Sequence, residues 1–437
     1  MILMKFGGTS LRDGAALRTV AELVRARLGQ EPVLVVSAHA GVTDALVEHA
    51  WRSVQGDWDL QPLREKHHAI LGDLGLPLDL QDTLFEELTD LSRGIALVGE
   101  LSPRSQDYVL SFGERMSART VAAWLEASGI PATAVDAWDA GLRSDTKHGK
   151  ATLVPDEGRV RQSLDAVTGI PVVTGFIAKD AQGNITTLGR NGSDTTAAFL
   201  GHALDAEEIQ IWTDVDGVMT ADPRIIQGAH RIPRMSFDEA AEIANHGGKV
   251  LHPASLGPAI EKEIPVRVLN THRPQNEGTV ILPTFEEPDT VVRCLAHKNH
   301  VTLVNLETSR MRAEAGFLAR LFGIFEKHGI SVDMVSTSEI SISMTLDNTD
   351  NLDAAVLDLS ALGEVSIEDD LSLVCVIGHG IRHRMGVPAR VFGPLEHAGV
   401  EVRMISLGAL KVNISLLVAQ SQLETAVAAL HDEFFGA

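Results

Sequence analysis

Lys5-Phe6-Gly7-Gly8-Thr9-Ser10 is the stretch on which the fold turns. It closes a short apolar run over 2–6 and leads into a helical pattern over 15–28, where Leu17, Val20, Ala21 and Val24 share one face. A buried strand that ends in paired glycines and enters a helix is the opening of an α/β unit. The glycines permit close backbone approach, and the N–H groups of such a turn and helix start favour an anion. Lys5 adds the full positive charge that a transferred phosphoryl group requires. Because the lysine precedes the glycines, the stretch is not a GxxxxGK[ST] loop. A plain strand-to-helix turn with a surface lysine has the same spacing.

Outward from this start, apolar runs at 33–37, 132–136, 171–175 and 208–213 read as further strands. Each is continuous rather than alternating, as suits strands covered on both faces of a parallel sheet. Helical patterns fill 44–127. The first 285 residues therefore read as an α/β/α sandwich with a mostly parallel sheet. The linker LPTFEEPD over 282–289 then changes the rhythm. Strands at 301–306, 331–336, 340–346 and 364–367, with helices at 316–328 and 352–359, give a β-α-β-β-α-β order. A second set has strands at 371–377, 402–407 and 412–419 and helices at 387–397 and 423–434, and lacks its last strand. The spare strand 291–296 is expected to complete it, interleaving two ferredoxin-like α+β modules over 298–370 and 371–437. Such a tandem is more often regulatory than catalytic.

Composition narrows the function. The 437 residues carry 44% hydrophobic and 22% charged side chains, a globular profile, with a formal charge of −22. So acidic a surface repels phosphate backbones, which argues against nucleic acid. Two cysteines, Cys294 and Cys375, without CxxC spacing or a Cys/His cluster, support neither a disulfide framework nor zinc. No targeting segment precedes Lys5 and no 18-residue apolar run occurs, so a soluble, cytoplasmic chain without a membrane partner is expected.

Five further stretches carry chemistry. TLGRNGSDTTAAFL, over 187–200, brings Arg190, Gly192, Ser193 and Asp194 to a helix start. Arg190 suits bidentate binding of a carboxylate or phosphate, and Asp194 suits a lysine. Ser193 or Asp194 as a mere helix cap is the plainer reading. SAHAGVT, over 37–43, places Ser37 and Thr43 at a strand's carboxyl end, where ligands bind in α/β sheets. In SFGE, over 111–114, Glu114 reads plainly as an exposed acid at a helix start. WTDVDGVMTADPR, over 212–224, offers Thr213, Asp214 and Arg224 to a nucleotide, and Lys249 in HGGKVLHP is a second phosphate lysine. Ordinary turns explain Asp216-Gly217 and Asp222-Pro223 equally well.

Together and in this order, KFGGTS, SAHAGVT, SFGE, TLGRNGSD, WTDVDG, TADPR and GGKVLHP resemble the aspartate kinases of the amino-acid kinase superfamily, over nearly the whole chain. The tail stretch GFLARLFGIFEKHGISVDMVSTSEISISMTLD resembles the first of two ACT modules that bind a feedback amino acid. The monofunctional, lysine-sensitive members are the most similar. The resemblance implies transfer of the γ-phosphoryl of ATP, with Mg²⁺, to the side-chain carboxylate of L-aspartate. The product is 4-phospho-L-aspartate, on the way to lysine, threonine and methionine. Lys5 then holds the β/γ-phosphates, with Gly7, Gly8 and Ser37 around them, and Asp194 organises Lys5. Thr43, Glu114, Arg190, Gly192 and Ser193 bind aspartate, with Glu114 on its ammonium and Arg190 on its α-carboxylate. Thr213, Asp214, Met219, Arg224 and Lys249 face the nucleotide, although Met219 stands where the family usually has tyrosine. Phe317, Asp333, Ser338 and Glu339 match the effector site, expected to take lysine. No resident metal site is implied. A homodimer or dimer of dimers through the ACT modules is expected. A glutamate or acetylglutamate kinase would lack KFGGTS and the paired modules. A non-catalytic amino-acid sensor on the same fold would have lost Lys5, Glu114, Arg190 or Asp194, and all four are present.

Overall fold

The computed structural model describes residues 1–246, 253–284, 291–309, 314–382, 384–407 and 412–436. They form two compact units: 1–218 with 233–237 and 250–285, and 219–232 with 238–249 and 286–437.

The first unit is built on an eight-stranded sheet. Its order is Arg234–Ser236, Thr279–Leu282, Val266–Asn270, Glu208–Thr213, Ile2–Phe6, Pro32–Val36, Ile170–Thr174, Ala132–Val135. All neighbours run parallel except Val266–Asn270 against Thr279–Leu282. Ile2–Phe6 lies in the middle, and the chain leaves it to Pro32–Val36 on one side while Glu208–Thr213 flanks the other. That is a topological switch point, and the crevice at the strands' carboxyl ends is where such sheets take ligands.

Period two decides which side chains reach that crevice. Ile2, Met4 and Phe6 point into a core with Leu17, Val20 and Val24 of helix Gly14–Arg25 and with Ala118, Val121 and Leu125 of helix Pro103–Ala127. Phe6 stacks on the fully buried Trp212 at 6.1 Å between ring centroids. Lys5 is therefore turned to the opposite face, which helix Gly192–Leu204 covers. The expected helical excursion consists of helices Val42–Val54, Gln61–Leu74, Asp82–Val98 and Pro103–Ala127. A small sheet of Leu153–Val154, Arg143–Ser144, Ile177–Lys179 and Ile185–Thr187 leads directly into the Gly189–Asp194 turn.

The second unit holds one six-stranded antiparallel sheet. Its order is Val335–Thr337, Ser341–Leu346, Cys294–Glu307, Glu364–Ile377, Asn413–Ala419, Val402–Leu407. Two strands expected to be broken are continuous. Cys294–Glu307 absorbs register shifts between Lys298 and Leu303, and Glu364–Ile377 passes through Asp370. His300 and Asp370 sit in the left-handed region, at φ 56° each, which lets the ladder continue through polar residues. The Cys294–Lys298 half pairs with Leu373–Ile377, so the spare strand joins the second module's half of the sheet.

A division at 285 differs from this grouping. Of the described residues, 219–232 and 238–246 cluster with the C-terminal modules. The reason is burial: Ala221, Ile225, Ile226 and Ala229 pack with Val376, Val391, Ile414 and Leu430. Buried Glu239 also accepts a hydrogen bond from His379 N at 3.0 Å. Both cysteines are buried thiols outside any disulfide. Among the described residues no helix is long and apolar enough to cross a membrane.

Candidate active site

A cavity of about 300 Å³ opens at the switch point, lined by Lys5, Ser37, Thr43, Glu114, Phe176 and residues 189–194. Lys5 Nζ lies 2.6 Å from Asp194 Oδ1, and both side chains are about nine-tenths buried. Ser37 Oγ donates to Ser193 Oγ at 3.0 Å. The guanidinium of Arg190 is exposed at the rim and forms no ion pair among the described residues.

Glu114 departs from the sequence expectation. It lies in the middle of helix Pro103–Ala127, not at a helix start, and is 3% exposed. Oε1 accepts from Ala38 N at 3.1 Å, while Oε2 has no hydrogen-bond partner among the described residues. Burial pushes its carboxyl up to about 8, against the weaker opposing pull of the Ala38 N–H. A buried carboxyl with an unpartnered oxygen facing a polar cavity is a seat for a cationic ligand group.

The turn 189–194 is shaped by backbone geometry. Asn191, at φ 56°, caps helix Gly192–Leu204 without a side-chain bond. Ser193 and Asp194 are thus in the first helical turn and are not caps, and the positive end of the helix faces the cavity. Gly175 makes room for this turn, because a Cβ there would lie 2.6 Å from Ser193 Cβ and Oγ. Gly175→Ala is expected to raise the KM of the substrate held by this turn and to lower stability by about 1–3 kcal/mol. Thermal denaturation with steady-state kinetics checks both; an unchanged KM would mean that Ser193 is not held by this contact.

The glycine turn after Lys5 also differs from expectation. The N–H of Gly7 is engaged by Trp212 O at 3.1 Å, and Ser10 Oγ reaches the same carbonyl at 3.2 Å. The segment Gly8–Leu11 is a 3₁₀ turn, and the α-helix begins only at Gly14, with Asp13 capping Ala16 N at 2.9 Å. The N–H of Gly7 is thus not directed at an anion. Gly7 and Gly8 instead let the turn lie against neighbouring backbone; a Cβ on Gly8 would stand 3.0 Å from Ala38 O.

Other expected residues fall elsewhere. Thr213 ends the strand beside Ile2–Phe6 and Asp214 follows it, but neither lines this cavity. Met219 and Arg224 belong to the second unit, where Arg224 forms a fork with Asp222. Lys249 lies outside the described residues. In the first ACT-like half, Phe317 is buried in the module's core with Leu321, Phe325 and Met344, on helix Phe317–Lys327. Asp333 is exposed and 3.3 Å from Lys298 Nζ, which also pairs with Asp347. Ser338 Oγ lies 2.7 Å from Ser341 Oγ in the tight turn that also carries exposed Glu339.

Like Asn191, Phe176 is a cavity residue that sequence reasoning missed. Its φ of 66° is rare for an aromatic residue, and Ile177 N donates to Gly175 O at 2.7 Å across it. That γ-turn is a strained conformation, held at the cavity wall by Leu188 N donating to Phe176 O at 2.8 Å. A Gly-aromatic pair directly after an apolar strand was the available signal.

Comparison with known proteins agrees with this architecture. The amino acid kinase family model matches residues 1–270, and an ACT domain model matches 304–360 and 374–434. Aspartokinase 1, chloroplastic, of Arabidopsis thaliana is 39% identical over 99% of this chain and 80% of its own length. Lysine-sensitive aspartokinase 3 of Escherichia coli (strain K12) is 37% identical over 100% of this chain and 99% of its own. The crystal structure of E. coli aspartokinase III in complex with aspartate and ADP (R-state) superposes with a TM-score of 0.86. It is 36% identical and covers 100% of both chains. The fold and site define an amino acid kinase with ACT domains, and within that class the chain belongs to the aspartokinase family.

Proposed function

We propose that this chain transfers the γ-phosphoryl of ATP to the side-chain carboxylate of L-aspartate. The observation that carries the reading is the cavity's charge pattern: Arg190 and the Asp194-paired Lys5 line it together with buried Glu114, whose Oε2 has no hydrogen-bond partner among the described residues. An amino acid with one ammonium and two carboxylates matches that pattern. Glu114 takes the α-ammonium, Arg190 grips the α-carboxylate bidentately, and Thr43, Gly192 and Ser193 border the substrate. Its side-chain carboxylate is then aimed at the γ-phosphorus. One carboxylate oxygen forms the new O–P bond as the β,γ-bridging P–O bond breaks, and ADP departs with the bridging oxygen. The nucleophile is already an anion, so no general base is required. Positioning and charge neutralisation by Lys5, itself oriented by Asp194, supply the rate.

ATP enters as its Mg²⁺ complex. Mg²⁺ retains waters and needs only one or two carboxylates beside substrate phosphates. The ion would arrive on the nucleotide, shared between its phosphates and water, and the chain's own part is the charge that Lys5 brings to the transferred group. Gly7, Gly8, Ser37, Thr213, Asp214, Met219, Arg224 and Lys249 form the nucleotide side of the reading. The kinase module spans 1–285, and the ACT modules, 298–370 and 371–437, carry feedback control by L-lysine. Asp333 is paired with the ammonium of Lys298, the chemistry that a lysine effector would offer, and Phe317, Ser338 and Glu339 complete the proposed effector set. Edge strands Val335–Thr337 and Val402–Leu407 expose Val335, Ile405 and Leu407, which supports pairing of modules between subunits in a homodimer or a dimer of dimers. Two buried thiols outside any disulfide fit a reducing compartment such as the cytoplasm.

The test is coupled ADP release with ATP, Mg²⁺ and L-aspartate, titrated with L-lysine. Aspartate-dependent turnover suppressed by lysine is expected. Turnover that ignores saturating lysine would remove lysine as effector and keep the kinase. Lysine binding without any turnover would replace the kinase by an amino-acid sensor.

A further inference from the structure

Behind the aspartate cavity lies a second pocket that shares Phe176, Gly189 and Arg190 with it and is closed at its far side by Asp107 and His148. Asp107 sits early on the helix that carries Glu114, and it is 2% exposed. Its carboxylate receives Thr187 Oγ1 at 2.6 Å, Gly149 N at 3.1 Å to each oxygen, and His148 Nδ1 at 2.7 Å. These donors come from two separate segments, the 145–151 loop and the end of strand Ile185–Thr187. Thr187 O in turn accepts from Ala151 N at 2.9 Å, closing the two segments onto each other. Gly189, at φ 76°, rests on the loop so closely that a Cβ would stand 3.1 Å from Gly149 O. Arg190 follows directly, and its guanidinium forms no ion pair among the described residues.

We infer that Asp107 is a positioning residue for Arg190: it locks the 145–151 loop to Thr187, and so fixes the backbone from which Arg190 reaches the α-carboxylate of the amino-acid substrate. This rests on the proposed role of Arg190. A carboxylate has about four acceptor sites, so one side chain can serve all of these donors at once. An asparagine has the same shape but turns an NH₂ towards N–H donors, and the loop is released. His148 is half-buried and closes the outer side of the same clamp.

Asp107→Asn should raise the aspartate KM about tenfold, with the ATP KM unchanged within about twofold, as expected for loss of orientation at one substrate only. His148→Ala, at a more exposed position, should give the same split at smaller size. In an Arg190→Ala background, Asp107→Asn should add nothing further, because a residue that acts through Arg190 has nothing left to position. Parallel changes in both KM values, or a full additional loss in the Arg190→Ala background, would overturn the inference. Arg190→Ala alone tests the underlying reading separately: if that variant keeps a normal aspartate KM, Arg190 itself is misassigned.

Discussion

Lys5→Ala is expected to lower kcat by roughly a thousandfold, the scale of losing a preorganised charge at the transition state, while the aspartate KM moves little. Lys5 is held in place before any phosphate arrives. Strand Ile2–Phe6 is fully buried between two neighbours, and Asp194 fixes the ammonium at 2.6 Å. Little reorganisation then remains at the moment of transfer, and the low exposure of both partners strengthens each charge. Lys5→Arg should not restore the rate, since a planar fork cannot replace a compact point charge in this position. Steady-state kinetics with both substrates varied decides the matter. A loss divided equally between kcat and aspartate binding would take Lys5 away from the phosphoryl group.

Glu114→Gln is expected to raise the aspartate KM roughly 30- to 150-fold, from the about 2–3 kcal/mol that a buried charge pair loses when one partner is neutralised. A pH signature accompanies it. Burial holds the free carboxyl at about 8, so at neutral pH it is mostly protonated, and the substrate ammonium must expel that proton to pair with it. kcat/KM for aspartate should therefore rise with pH and level off above about 8, and the Glu114→Gln profile should lose this limb. Stability runs the other way. The contribution from a neutral buried Glu114 is fully present below its unfolded value near 4.5 and is lost as pH rises through about 8. The glutamine variant should be the less pH-sensitive of the two in thermal denaturation. A flat wild-type kcat/KM profile between pH 6 and 9 would remove Glu114 from the ammonium site.

Much of this was legible in the sequence because it depends on local pattern. Unbroken apolar runs marked the parallel strands, and the order of KFGGTS, SFGE and LGRNGSD marked three walls of one cavity. What was not legible depends on burial and backbone direction. Glu114 looked like a helix-start acid because SFGE is locally polar, and only packing of helix Val42–Val54 against the long helix encloses it. The diversion of the Gly7 N–H to Trp212 O arises from a strand two hundred residues away. The polar stretches around His300 and Asp370 read as breaks, yet left-handed residues carry both strands through them. Phe176 is marked only by its Gly-aromatic pair after an apolar strand, and its part in the cavity follows from a strained turn that this pair does not fix by itself.

One further consequence follows from the path of the chain. After strand Glu208–Thr213 and its loop, the polypeptide leaves the first unit at Val218, spends 219–232 in the second, and returns at Pro233. Ala221 is thus buried core of the C-terminal unit, with Ile225 and Ile226 packed against that core, although they lie in the peptide that continues the WTDVDG stretch. A cut at the linker 282–289 would therefore leave part of the C-terminal unit's packing on the N-terminal fragment. A lineage that exchanged its C-terminal modules for another pair would also have to replace the core residues embedded in its own kinase half.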